Sequence, residues 1–152
     1  MEIIIYCGLQ GAGKSSYYKH HQVDSHLRLN FDMLRTRHRE QLLLEAAIKS
    51  KTKLVIDNTN PTRQQRLRYI KPALAAHYKL ICYWFCTPFE VAAARNELRS
   101  GKDKVPEVGL ASVARQFEFP SFAEGYDEIY QIQSDVNFNF TRIALEQTED
   151  QT

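Results

Sequence analysis

Glu2-Ile3-Ile4-Ile5-Tyr6-Cys7, followed by Gly8-Leu9-Gln10-Gly11-Ala12-Gly13-Lys14-Ser15-Ser16, decides the architecture of this chain. The first six residues form a short apolar run of the kind that makes a buried strand. The next eight match Gly, four residues, Gly-Lys-Ser, and a helix is predicted from Lys14 to about Gln22. Glycines let the backbone curl so that successive N–H groups point inward at phosphate oxygens, and the helix N-terminus adds positive potential. Lys14 then reaches the β- and γ-phosphates, and the Ser15 hydroxyl joins a Mg²⁺ shell. The competing reading is a glycine-rich turn with an incidental lysine, and the strand and helix on either side weigh against it. The expectation is a nucleoside triphosphate site made by Gly8, Gly11, Ala12, Gly13, Lys14, Ser15 and Ser16.

Working outward, strand and helix signals alternate. Leu27 to Asn30 reads as a short second strand, Asp32 to Ser50 as a helix, and Lys53 to Asp57 as another apolar strand ending in a polar turn. Thr62 with Gln65 is a capping-box pattern, and Leu67, Ile70 and Leu74 supply the apolar face of the helix behind it. Pro72 should kink or restart that helix. Lys79 to Cys86 is the most hydrophobic strand candidate. Thr87-Pro88-Phe89-Glu90 then combines a capping Thr, Pro at the first helical position and Glu three residues after the cap, opening a helix to about Arg99. A polar loop from Ser100 to Lys104, a helix near Val108 to Gln116 and a strand near Glu128 to Gln133 complete the pattern.

This order predicts a three-layer α/β/α fold of the P-loop NTPase kinase type, with a mostly parallel sheet and a small helical lid. The expected division is a kinase domain over 1–135 and a partly frayed C-terminal tail over 136–152.

Composition narrows the class. The 152 residues are 43% hydrophobic and 25% charged, which excludes collagen-like, disordered and disulfide-scaffold chains. No apolar run approaches the roughly 20 residues of a membrane span. The three cysteines, Cys7, Cys82 and Cys86, lie in strand-like segments, and their odd number fits a reducing, cytoplasmic setting. Cys82 and Cys86 lack neighbouring metal ligands, so buried thiols are the simpler reading. A formal charge of +2 does not announce a nucleic-acid binder, so any basic surface is local. No guanine-reading Asn-Lys-x-Asp run appears, and motor-type ATPases carry longer domains. Phosphoryl transfer to a bound acceptor remains, which requires an acid near the acceptor hydroxyl and arginines over the phosphates.

Asp32 follows the presumed second strand at the carboxyl edge of the sheet, where ligands gather. It is either a base for an attacking hydroxyl or a helix N-cap. Arg35, three residues on, would share its helical face. Asp57 ends a strand as the magnesium-side acid of such enzymes does, or holds an arginine such as Arg35. Arg95 and Arg99 are four apart before a flexible loop, a layout suited to a lid or simply to a solvated face. Arg63, Arg66 and Arg68 read as a solvated face, Asn58 and Asn60 as turn formers. The aromatic run from Phe117 to Tyr130 reads as core, with one ring a candidate to stack on adenine.

The phosphate loop, Asn30-Phe31-Asp32-Met33-Leu34-Arg35, Val55-Ile56-Asp57-Asn58-Thr59-Asn60-Pro61, Arg95-Asn96-Glu97-Leu98-Arg99, Arg115 to Pro120 and Ala123-Glu124-Gly125-Tyr126 resemble successive motifs of polynucleotide 5′-hydroxyl kinases, the P-loop kinase domain of phage and animal end-healing enzymes. The resemblance runs from Ile3 to about Ile132. It implies ATP and Mg²⁺ at Lys14 and Ser15, and Asp32 as general base on the 5′-hydroxyl of DNA or RNA. It further implies Arg35 on the phosphate beside the acceptor sugar, Asp57 orienting Arg35, and Arg99 as lid arginine with Arg95 a second. Gln10, Ala12 and Ser16 depart from the family's usual Pro, Ser and Thr at turn-shaping positions. The Asp-x-Asp nucleophile of the 3′-phosphatase found in several relatives is absent from these residues, so no such activity is expected. A kinase of a nucleoside, sugar or other small metabolite is the alternative, and an ATP-binding regulatory module with little turnover a second. No membrane association or obligate protein partner is expected.

Overall fold

Isoleucine at positions 3, 4 and 5, followed by Tyr6 and Cys7, leaves β1 (Glu2–Gly8) no polar face, and the strand takes the middle of the sheet. It pairs in parallel with β3 (Leu54–Asp57) on one side and β4 (Lys79–Phe85) on the other. β2 (Leu27–Leu29) lies outside β3, and β5 (Glu128–Ser134) outside β4, both parallel. β6 (Phe140–Ala144) closes the far edge antiparallel to β5, giving the order β2-β3-β1-β4-β5-β6. The computed structural model describes residues 1–101 and 104–148. Fold class and parallel sheet are as the sequence predicts.

The two faces have different cores. One packs Ile3, Ile5, Leu54, Ile56, Leu80 and Ile129 under α3 (Arg37–Lys49) and α4 (Arg63–Ala75), through Leu44, Ala47, Tyr69, Ile70 and Ala73. The other is aromatic: Tyr6, Tyr83 and Phe85 meet Tyr17 of α1 (Lys14–His21). Tyr6 stacks on Tyr83 at 5.8 Å, and Tyr17 stands edge-on to Tyr83 at 5.6 Å. The Tyr6 hydroxyl, whose ionisation burial suppresses, donates to Gln22. Rings of this size let one eight-residue helix cover a sheet face that elsewhere takes two.

Several elements differ from the sequence reading. The helix expected over Asp32 to Ser50 is two: α2 (Phe31–Leu34) and then α3, because Arg35 turns to φ +74° and Thr36 starts a new N-cap, accepting from the Arg39 N–H. The Thr62–Gln65 capping box is present on α4, and Pro72 falls inside that helix near its end without breaking it. The face α4 buries is Arg66, Tyr69, Ile70 and Ala73, whereas Leu67 and Leu74 are substantially exposed. Pro88, not Thr87, is the N-cap of α5 (Phe89–Glu97). The Thr87 hydroxyl donates instead to the Ala12 carbonyl at 3.0 Å, a tertiary bond that outcompetes the local cap. β6 lies beyond residue 135, where the sequence reading closed the domain. It was hidden because four of its five residues are exposed and only Phe140 turns inward, 5.2 Å from Tyr17. Lys102 and Asp103 of the expected polar loop lie outside the described residues. α6 (Glu107–Gln116) leads to a 3-10 turn at Phe122–Glu124. Among the described residues no helix is long and apolar enough to cross a membrane.

Candidate active site

All five parallel strands run in one direction, so the loops after β1, β2, β3 and β5 open on a single edge. There a cavity of about 570 Å³ is lined by Gln10, Gly11, Gly13, Lys14, Ser15 and Ser16 of the phosphate loop. Asp32, Arg37, Asp57, Asn58, Arg95 and Arg99 also line it. This volume is in the usual range for a small-molecule site.

The loop is shaped by close approach. Gly11 has φ +80°, and a Cβ there would come within 2.6 Å of the Ala92 carbonyl oxygen of α5. Gly8 sits as tightly, its Cβ position 2.7 Å from the Phe85 carbonyl oxygen. Neither Gly8 nor the buried Ala12 lines the cavity, and both serve the loop's backbone path. Gly11→Ala is expected to cost at least 1–2 kcal/mol, the usual penalty of left-handed backbone, before the clash is counted. Calorimetric melting should show this as a drop of roughly 2–4 °C per kcal/mol.

Lys14 is buried, its Nζ donating to the carbonyls of Gly8 (2.9 Å) and Leu9 (2.6 Å). Burial lowers its pKa from 10.5 to about 8; the Asp57 carboxylate opposes that shift and the Arg99 charge adds to it. The unfolded chain therefore holds this proton more tightly, and the Lys14 contribution to stability improves as pH rises from about 8 to about 10.5. Phosphate binding works the other way, because it favours the ammonium. ATP affinity should fall as pH rises through about 8, with proton uptake on binding above it. Titration calorimetry in buffers of different ionisation enthalpy measures that uptake, and Lys14→Met should abolish it.

Asp57 ends β3 fully buried. Its Oδ2 accepts from Ser15 Oγ at 2.9 Å and from Arg28 Nε at 2.8 Å, and Arg28 Nη2 donates to Ser15 Oγ at 3.0 Å. The arginine held by Asp57 is thus Arg28 of β2, whereas the resemblance implies Arg35 there. Arg28 was missed by sequence reading. A charged residue inside a three-residue strand was the available signal, since such a side chain needs a partner.

The N-cap of α2 is Asn30, whose Oδ1 accepts from the Met33 N–H at 3.0 Å. Asp32 is therefore not consumed as a cap, and it lines the cavity. Asn30 Nδ2 donates to the Asp57 carbonyl at 2.6 Å, and the Phe31 N–H donates to Asn58 Oδ1 at 2.8 Å. These bonds tie α2 to the end of β3. Arg35 sits past the end of α2 and does not line the cavity, so it does not share a helical face with Asp32.

Arg95 donates to the Gly11 carbonyl (3.1 Å), Ser134 Oγ (3.0 Å) and the Asp135 carbonyl (2.8 Å), with Phe138 4.4 Å from its guanidinium. It latches α5 to the phosphate loop and the β5–β6 turn. Arg66 corrects the solvated-face reading: it is fully buried, paired with Glu124 at 2.8 Å and bonded to the Asn60 carbonyl at 2.9 Å. Asn60 is likewise buried, at φ +44°, and donates to the Tyr6 carbonyl at 2.8 Å. Among the described residues no His, Cys, Asp and Glu cluster suits a metal, and Cys82 lies against Cys7 at 3.6 Å.

Residues 3–120 match the family described as the AAA domain. The chain belongs to that family. Curated relatives of this AAA domain carry the resemblance seen in its motifs. A Schizosaccharomyces pombe (strain 972 / ATCC 24843) protein named bifunctional polynucleotide phosphatase/kinase is 27% identical over 135 residues, covering 86% of this chain and 33% of that protein. An Acanthamoeba polyphaga mimivirus protein, provisionally given the same name, is 28% identical over 152 residues, covering 95% of this chain and 35% of that one. The chain spans about a third of the length of these relatives. Chaetomium thermophilum Kti12, solved with ADP-AlF3, shares the fold of this AAA domain: TM-score 0.63 at 15% identity over 98% of this chain and 92% of that one. Sheet order and phosphate loop make it an α/β domain of P-loop type.

Proposed function

We propose that this domain transfers the γ-phosphate of ATP to the 5′-hydroxyl end of DNA or RNA, with Asp32 as general base. The observation that carries the reading is that Asp32, Lys14 and Arg99 line one cavity, with the Asp32 carboxylate left over from helix capping. The named relatives supply the acceptor class.

Asp32 takes the proton as the 5′-oxygen attacks the γ-phosphorus in line; the bond to the bridging oxygen breaks, and ADP leaves with that electron pair. Lys14 and Arg99 neutralise charge on the phosphoryl oxygens as it redistributes. The buried Asp57 gives the Ser15 hydroxyl a fixed acceptor, and Arg28 closes that triangle. Ser15 and Asp57 offer hard oxygen donors, which fit Mg²⁺. Bound there, the ion would supply charge neutralisation at the β- and γ-phosphates. Direct transfer needs no covalent intermediate on the protein. A small domain with a formal charge of +2 should grip one or two terminal phosphates and not follow a long backbone.

The test supplies γ-labelled ATP with a 5′-hydroxyl oligonucleotide, a panel of nucleosides and sugars, or no acceptor. Label on the oligonucleotide supports the proposal. Transfer confined to a small metabolite replaces it with a metabolite kinase. ATP binding without transfer points to a regulatory module.

A further inference from the structure

Resting on the Mg²⁺ position in that reading, and not on its acceptor class, we propose that Arg28 of β2 sets how tightly the phosphate-loop site takes its divalent cation. It does so by competing with that cation for Ser15 and Asp57.

A positive group is already seated on the two oxygens that fit Mg²⁺. Arg28 Nη2 donates to Ser15 Oγ at 3.0 Å and lies 2.8 Å from Asp57 Oδ2. Arg28 Nε donates to the same Oδ2 at 2.8 Å. Ser15 Oγ gives its proton to Asp57 Oδ2 at 2.9 Å. A hydroxyl has one proton and two lone pairs, so Arg28 claims one of the lone pairs through which Ser15 would bind a metal. A guanidinium keeps its charge at any working pH. Its donor nitrogen therefore lies 3.0 Å from the atom a divalent cation must approach, and like charges so close repel.

Arg28 is also held from its other side, its guanidinium 5.7 Å from the centre of the Tyr18 ring. The Tyr18 hydroxyl donates to the His26 carbonyl at 2.7 Å, which fixes that ring. Arg28 does not line the cavity, so it acts on a ligand through Ser15 and Asp57 and is a positioning residue.

The charge balance sets the consequence. Asp57 is buried, Arg28 matches its single negative charge, and the nearby Lys14 adds a second positive one. Such a site lacks the excess of negative oxygens that a hard cation needs, and the phosphates of a nucleoside triphosphate supply it. The metal should enter with the nucleotide and bind weakly without it, so that the site selects the metal–nucleotide complex. The simpler alternative is that Arg28 is only an ion-pair strut for Asp57.

Mn²⁺ is titrated into nucleotide-free protein at constant ionic strength, and the loss of the free-ion paramagnetic resonance signal reports binding. Wild type is compared with Arg28→Gln, Arg28→Met, Arg28→Lys and the double variant Arg28→Gln with Asp57→Asn, and melting temperatures are taken with and without Mn²⁺. Arg28→Gln should bind Mn²⁺ roughly 10–100-fold more tightly than wild type, the usual worth of a hydrogen bond to a charged group. Arg28→Met, of similar length and without charge, should do the same. Arg28→Lys, which keeps the charge, should stay close to wild type, and the double variant should lose the gain. The two neutral variants leave Asp57 unpaired, so they should melt below wild type without metal and recover with Mn²⁺. A strut would lower melting in the same way but leave Mn²⁺ affinity unchanged. That result overturns the inference, as does weaker Mn²⁺ binding in the neutral variants. No acceptor is present, so failure of the polynucleotide reading, seen as no label on an oligonucleotide, leaves these titrations as they are. Failure of the Mg²⁺ position is also distinct: Ser15→Ala with ADP would bind Mn²⁺ as tightly as wild type, and the inference falls with it.

Discussion

Asp32→Asn should lower kcat for transfer to a 5′-hydroxyl end by roughly 10²–10⁴-fold, the usual range for loss of a general base. The substitution keeps the size of the side chain. Its backbone neighbours are held by Asn30 and Asn58, so the α2 turn should stay in place. ATP binding, which depends on the phosphate loop and Lys14, should not change. Steady-state transfer assays with parallel ATP titrations measure both quantities. A variant that kept the wild-type rate would show that the hydroxyl proton leaves by another route.

Arg66→Met should be the most destabilising single change among the residues discussed. Arg66 and Glu124 form a buried ion pair, and removing one partner of such a pair strands the other charge at a cost of about 3–5 kcal/mol. For a domain of this size that is a fall of on the order of 10 °C in Tm. The damage should reach the site, because Arg66 also holds the Asn60 carbonyl and Asn60 in turn holds the Tyr6 carbonyl, two residues before Gly8. The double variant Arg66→Met with Glu124→Leu removes both charges and should recover a large part of the stability. Thermal melts of wild type, the two single variants and the double variant form the cycle that measures the coupling. A change of less than about 1 kcal/mol in Arg66→Met would contradict the account of this pair.

What the sequence reveals here follows the range of the interactions. The phosphate loop is local: strand, glycines, lysine and helix lie within twenty residues, so their pattern specifies one geometry and a site on one edge. The same is true of the Thr62–Gln65 capping box. Arg66 is another matter. Its neighbours Arg63 and Arg68 are exposed, and only the fold brings Glu124, 58 residues away, to its side. Arg28 and Asp57 meet because β2 and β3 are adjacent, which spacing along the chain does not reveal. Arg35 and Arg37 illustrate the sharpest limit. A continuous helix would have placed Asp32 and Arg35 together. A single residue at φ +74° ends α2, and Arg37 of the next helix enters the cavity instead. β6 escaped notice because an exposed edge strand carries little hydrophobic signal.

The most direct test of the central claim is the position of the transferred phosphate. Wild-type protein, γ-labelled ATP and Mg²⁺ are incubated with an oligonucleotide bearing a 5′-hydroxyl and with the same oligonucleotide already phosphorylated at that end, and the labelled nucleotide is mapped by digestion. The expected result is label on the 5′-terminal nucleotide of the first oligonucleotide and none on the second. Label on neither, in protein that binds ATP and phosphorylates a nucleoside or sugar, would contradict the account.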